Sequence, residues 1–423
     1  MPSNPSRVAR ALGLFFALLA PGASLSDALH DAVRAGDDAR VKELASAGSD
    51  LNRRDALGAA PLHDAVWNGR IETVRLLLDL GADVNIAHLE AGSMPLHYAA
   101  IKNETAIGKL LLARGASVSA VNGTGDTPLH IAASRGYNEF VGMLLDRGAD
   151  LEGRDRSGST PLEEAAWKGF TETCSLLLGR GARINSINPE TGTTALNEAA
   201  SKGHRSTVEL LLARGADPGL KDKMGATPLE NAARFRHSEV VGLLLRRGKN
   251  GNDPIGGDLL GDAVLRGQND MVEMLIESGA DVNAVGHSGA TPLHEAALKG
   301  REDIARMLLD KGAQVNAGGR NGSTPLHDAA LSGSTAVAEL LVSHGADLDA
   351  QDRESGATPL YAAASLGHLE VIRLLVAKGA NLDKRNQAGS SPLHAAVENG
   401  FPDAANFLRS QGARDLSQNP PLP

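Results

Sequence analysis

The chain holds 423 residues, is 42% hydrophobic but only 3% aromatic, and carries a formal charge of −9 with an isoelectric point near 5.8. That acidic balance argues against a nucleic-acid partner, whose phosphates require a net basic face. A single cysteine, Cys174, excludes a disulfide framework and a cysteine metal cluster.

The N-terminal segment differs from the rest. Arg7 and Arg10 precede an apolar run from Ala11 to Ala20, followed by Pro21, Gly22, Ala23 and Ser24, with no acidic residue before Asp27. A basic start, a short apolar middle and small residues at a cleavage point predict a secretory signal over residues 1–23 and a secreted or periplasmic protein. The same residues also suit a hydrophobic cap on the first repeat of the chain, or a mitochondrial presequence, and a cytoplasmic chain is the alternative. The run is too short to cross a bilayer as a helix, so no membrane span is expected in the mature chain.

From Asp27 on the chain repeats itself. Copies begin at residues 27, 60, 94, 127, 160, 194, 227, 258, 291, 324, 358 and 391, in steps of 31 to 34. A period that steady predicts a stack of small supersecondary units, each packed on its neighbours, with one long surface in place of a closed catalytic pocket. The scarcity of aromatics makes the core aliphatic. Cys174 falls within a predicted packed helix and reads as an inert buried thiol.

The copy at residue 127 shows the design. Thr127-Pro128-Leu129-His130 opens a helix, with Thr as the cap and Pro at the first helical position, where its missing N–H costs nothing. Ala132 and Ala133 permit close approach of the neighbouring unit, and Gly136 ends the helix. Phe140, Val141, Met143, Leu144 and Leu145 form the apolar side of a second helix that Gly148 closes, and a polar, Gly-containing finger leads on to Thr160. Glu163 and Glu230 replace the histidine and predict a capping box with the preceding threonine, while Asn197 and Tyr361 also stand there. The neighbours His30-Asp31, His63-Asp64 and His327-Asp328 are therefore expected to be repeat grammar and not catalytic pairs.

This pattern resembles the ankyrin repeat, whose unit of about 33 residues opens with T-P-L-H-x-A. The motif is nearly whole at Thr127, Thr291 and Thr324, and has one change at Ala60, Met94 and Ser391; twelve copies run from residue 27 to about 415. The resemblance implies an all-α ankyrin solenoid with short hairpin-like fingers, and a protein partner docked on the concave face lined by fingers and first helices. Repeats one to seven occupy residues 24–249, repeats eight to twelve 258–415, and 416–423 read as a disordered tail. The Gly-rich stretch at 250–257 reads as a distorted finger or, on the other view, a hinge; it does not match a phosphate loop. Three fingers gain a residue, at Glu90-Ala91-Gly92, Glu190-Thr191-Gly192 and Glu354-Ser355-Gly356. Sequons begin at Asn103, Asn122 and Asn321, the last two also reading as Asn-Gly turns.

Two outward columns come after each Ala-Ala pair. The first reads Trp67, Ile101, Ser134, Trp167, Ser201, Arg234, Leu265, Leu298, Leu331, Ser365 and Glu398, so both tryptophans of the chain and three successive leucines stand at one position, as binding hot spots would; the alternative is that they are partly buried under the neighbouring finger. The second reads Lys102, Arg135, Lys168, Lys202, Phe235, Arg266 and Lys299. Four of its bases come four residues after Glu164, Glu198, Asp262 and Glu295 and are expected to pair with them, leaving Lys102 and Arg135 without a partner. The expected contact patch is thus Trp67, Ile101, Lys102, Arg135 and Trp167, with Phe235, Leu265, Leu298 and Leu331 as a second surface. The expected function is a monomeric, non-enzymatic scaffold with no cofactor or metal. Fewer than thirty residues flank the repeats on either side, which leaves no expected catalytic domain. The alternatives are a binder of an anionic polymer or nucleic acid through the basic column, and a structural spacer.

Overall fold

The structure, a computed structural model, describes residues 25–248 and 255–414. The predicted signal at 1–23, residues 250–254 of the Gly-rich stretch and the tail at 416–423 lie outside the described residues.

Twenty-four helices, α1 to α24, form twelve pairs, and no strand occurs among the described residues. The first helices of the pairs are α1 (Leu25–Ala35), α3 (Pro61–Trp67), α5 (Pro95–Lys102), α7 (Pro128–Ala133), α9 (Pro161–Lys168), α11 (Ala195–Ser201), α13 (Pro228–Arg234), α15 (Ile255–Leu265), α17 (Pro292–Leu298), α19 (Pro325–Ser332), α21 (Pro359–Ser365) and α23 (Pro392–Glu398). The chain divides into two compact units. One runs through Arg183 and includes Asn188–Glu190; the other holds Ile184–Ile187 and everything from Thr191 onward. The division falls after the fifth helix pair, whereas the 31-residue step lies between the seventh and eighth.

Most first helices have only six to eight residues, too few to be stable alone. Three devices hold them. A proline at the first helical position fixes the entry, as at Pro128 and Pro292. The Ala-Ala pair, such as Ala132 and Ala133, is fully buried and lets first helices of successive pairs pack, α5 on α7 and α17 on α19 among them. The residue at the third helical position ties the helix to the next finger. His63, His97, His130, His294 and His327 each accept the cap residue's backbone N–H on Nδ1, at 3.0–3.2 Å. Each Nε2 then lies 3.0–3.1 Å from a carbonyl of the following finger, which assigns the proton to Nε2. The predicted capping boxes form too: Thr160 N–H bonds Glu163 at 3.2 Å, and Thr227 N–H bonds Glu230 at 2.6 Å. Asn197 does both jobs of the histidine, accepting from Thr194 N–H at 3.0 Å and donating to Leu220 C=O at 3.4 Å.

Second helices are amphipathic. In α8 (Asn138–Asp146), Phe140, Val141, Met143 and Leu144 are buried while Glu139 is exposed. Phe140 sits against α6 (Thr105–Ala113), where a β-carbon added at Gly108 would lie 3.0 Å from the Phe140 ring. Cys174 is fully buried, and burial pushes its thiol up to about 12, so it is no nucleophile.

Fingers join by backbone bonds across about 33 residues. Gly123 N–H donates to Ala91 C=O at 2.7 Å and Arg156 N–H to Thr124 C=O at 3.1 Å in the first unit; Arg353 N–H donates to Asn321 C=O at 2.7 Å in the second. Pro189 stands at the next donor position and has no N–H. The Asn188 side chain substitutes, donating to Ser157 C=O at 3.0 Å. The close approach also demands glycine: Gly125 has φ +82°, and a β-carbon there would lie 2.6 Å from Arg156 N. In the lengthened fingers the extra residue widens the turn, so that Gly92 N–H reaches His88 C=O, where the ordinary finger has Gly58 N–H on Asp55 C=O. Asn122 and Asn321 accept from the backbone of Thr124 and Ser323, the turn role expected of them.

The Gly-rich stretch differs from expectation. Ile255–Gly257 begin α15, and α14 (Ser238–Gly248) extends further than other second helices, leaving six residues between the two. Helix therefore stands at 255–257, where a finger is expected. Asp258 of α15 compensates by bonding the next finger, accepting from His287 N–H at 2.9 Å and pairing with the His287 ring.

Candidate functional site

In the first unit, Trp67 ends α3, Ile101 and Lys102 end α5, Arg135 lies just beyond α7, and Trp167 is near the end of α9. These positions recur one repeat apart on the first-helix face, so Trp67 and Trp167 are separated by α5 and α7. Both tryptophans are half-buried. The Lys102 ammonium lies 4.7 Å from the centre of the Trp67 ring, and the Lys168 ammonium 4.2 Å from that of Trp167. Lys102 therefore has an aromatic partner where none is expected from spacing. Arg135 is exposed, and its guanidinium forms no ion pair among the described residues.

The Trp67 ring also meets Tyr98 edge-on at 5.8 Å, and Tyr98 lies 4.9 Å from His63 and 6.2 Å from His88. Burial, with Asp64 and Asp55 nearby, pushes the Tyr98 hydroxyl up to about 12. Close to this cluster runs an ion network. His30 Nδ1 lies 2.6 Å from Asp64, and Arg34 reaches Asp55 at 2.5 Å and Asp64 at 3.1 Å. Burial alone would lower His30, but the hydrogen bond and charge of Asp64 outweigh it and raise the imidazole above 6.5. His30, Asp55 and Asp64 converge as metal ligands would, yet the Arg34 guanidinium already bridges both carboxylates, so the chain supplies its own cation. No motif signals this network, because sequence draws the eye to adjacent His-Asp pairs. His30 contacts Asp64 of the next repeat, not Asp31.

In the second unit, Phe235 caps the end of α13 at 55% exposure, while Leu265, Leu298 and Leu331 end or nearly end α15, α17 and α19. Leu298 and Leu331 are 43% and 42% exposed; Leu265 is half-buried. Of the expected acid–base pairs, Arg266–Asp262 forms at 3.5 Å. Lys299 and Glu295 do not pair: Glu295 takes a hydrogen bond from the Ser288 hydroxyl at 3.4 Å instead. No helix among the described residues is long and apolar enough to cross a membrane.

The family model for ankyrin repeats matches residues 8–88, 96–188, 162–255, 260–352 and 347–419. The chain belongs to the ankyrin-repeat family. Among relatives, human protein phosphatase 1 regulatory subunit 27 is 42% identical over 69 residues, covering 16% of this ankyrin chain and 44% of that protein. The mouse B-cell lymphoma 3 protein homolog is 40% identical over 79 residues, 18% of each chain. The palmitoyltransferase Hip14 of Drosophila melanogaster is 36% identical over 85 residues, 20% of this chain and 13% of that one. The matched stretches thus span less than half of each of these relatives, and what they share with this protein is a short run of ankyrin repeats.

Proposed function

We propose that this ankyrin stack is a non-enzymatic protein-interaction scaffold. Its principal contact is Trp67, Ile101, Lys102, Arg135 and Trp167, with Phe235, Leu265, Leu298 and Leu331 as a second surface. One observation carries the reading: both tryptophans of the chain occupy the same outward position of the first-helix face, each under a lysine ammonium. Such a site offers apolar area and charge together, pre-ordered, at the side chain type that dominates binding energy. The five cap histidines are hydrogen-bonded on both ring nitrogens.

The test is cross-linking. A photo-reactive residue at Ile101 or Arg135 should capture the partner, and one at Arg75 or Lys109, exposed on second helices, should not. Capture only from Arg75 or Lys109 would reject the face. The rival reading, an anionic polymer on the basic column, is disfavoured because Lys102 and Lys168 cover tryptophan rings and Arg266 pairs with Asp262. Binding to heparin or DNA that weakens steeply with salt would revive it.

We further propose export, on the basic, apolar and small-residue pattern of residues 1–23. N-terminal sequencing of the mature protein should start near Ala23; a chain beginning at Met1 would contradict export by this route.

A further inference from the structure

A groove of about 630 Å³ opens in the second unit between α17 and α19 and the fingers beside them. Its helix wall carries Glu295 and Asp328, which occupy the same position of successive repeats; Leu298 and Leu331 stand three residues further on, on the same helices. Acids at this position elsewhere have partners inside the chain. Asp64 is held by His30 and Arg34, Glu198 by the Thr193 hydroxyl at 2.9 Å, and Asp262 by Arg266. Among the described residues Asp328 has no hydrogen-bond or ion-pair partner for its carboxyl, and Glu295 has the Ser288 hydroxyl. Arg320 and Arg353 line the finger wall with Glu354, but Arg320 is turned to the His287 carbonyl at 3.1 Å, and neither guanidinium forms an ion pair with the two acids. Burial and the Glu295 charge push Asp328 up to about 7, so the chain keeps this carboxyl where its own fold does not reward its charge. A residue placed against folding stability and within a groove is what a binding site leaves behind.

We infer that this groove takes an extended segment of a protein partner, with an arginine or lysine side chain between Glu295 and Asp328 and an adjacent apolar residue on Leu298 and Leu331. Charge complementarity selects the basic residue, since two close carboxylates without a cation of their own gain most from one brought by the ligand. The two exposed leucines, one turn along the same helices, select its apolar neighbour. This rests on the scaffold reading above and names the partner chemistry of its second surface.

The test uses the full chain and two fluorescein-labelled peptides, acetyl-Leu-Arg-Leu-Arg-Leu-amide and the same peptide with citrulline, which keeps the shape of arginine without its charge. The wild type should bind the arginine peptide at least tenfold more tightly than the citrulline one. Glu295→Gln with Asp328→Asn should remove that preference, with an unchanged circular dichroism spectrum, and Leu298→Ser with Leu331→Ser should weaken both peptides. No binding of the arginine peptide to the wild type, equal binding of the two peptides, or an undiminished preference in the amide variant would overturn the inference. If the groove fails while cross-linking from Ile101 or Arg135 still captures a partner, only this inference falls. If that capture fails, the scaffold reading falls with it.

Discussion

Lowering the pH from 7.5 to 5 should destabilise the first unit, and replacing His63, His97 and His130 together by Asn should remove much of that loss. Each of these imidazoles is buried and neutral, with Nδ1 accepting a cap N–H and Nε2 donating to a carbonyl. A proton added to Nδ1 would set one N–H against another in a buried site. Burial accordingly lowers all five cap histidines, His63 to about 4. For a base whose folded pKa is depressed, the contribution to stability is intact above the unfolded value of 6.5 and is lost as pH falls toward the folded one. At about 1.4 kcal/mol per unit, His63 alone accounts for about 2 kcal/mol between pH 6.5 and 5. His30 runs the other way: its folded pKa is raised, so its stabilisation is complete below 6.5 and is lost as pH rises through the higher value. Asp328 of the second unit also runs the other way, because a carboxyl pushed up to about 7 is better tolerated as pH falls below that value; in the first unit His30 alone stands against three cap histidines. Asparagine is the informative replacement because Asn197 already makes both bonds in this chain without a titratable proton. Urea unfolding midpoints between pH 7.5 and 5 are the measurement. A triple Asn variant as acid-sensitive as the wild type would show that the caps are not the source.

The repeat and its helix starts are legible in the sequence because twelve copies average away accident: a residue that recurs at the cap or in the Ala-Ala pair declares a structural duty. Glu163 and Glu230 even expose the histidine's role by replacing it. What the sequence conceals is what occurs once. The His30–Asp64–Arg34–Asp55 network links residues 21 to 34 apart that share no motif. Lys102 and Trp67 meet between successive repeats, because a lysine stem can turn toward a ring as readily as toward a carboxylate. The same freedom leaves Lys299 apart from Glu295, where spacing alone predicts a pair. The 31-residue step reads as a distorted finger over 250–257, but α14 runs on to Gly248 and α15 already begins at Ile255.

The central claim is that the partner is held by the two tryptophans of the first-helix face. Once a partner has been captured by cross-linking, its affinity for the wild type and for Trp67→Ala with Trp167→Ala decides the matter most directly. Truncated hot-spot tryptophans typically cost about 2 kcal/mol or more each, so each truncation should weaken binding about 30-fold and the double variant, where the two act independently, about 1,000-fold. Both rings are only half-buried, and each is flanked by a lysine ammonium. The urea midpoint of the variant should therefore move far less than its affinity. Trp67→Phe with Trp167→Phe, which keeps an aromatic face under each lysine, should recover part of the binding. A double alanine variant that folds as the wild type does and binds with unchanged affinity would contradict the account.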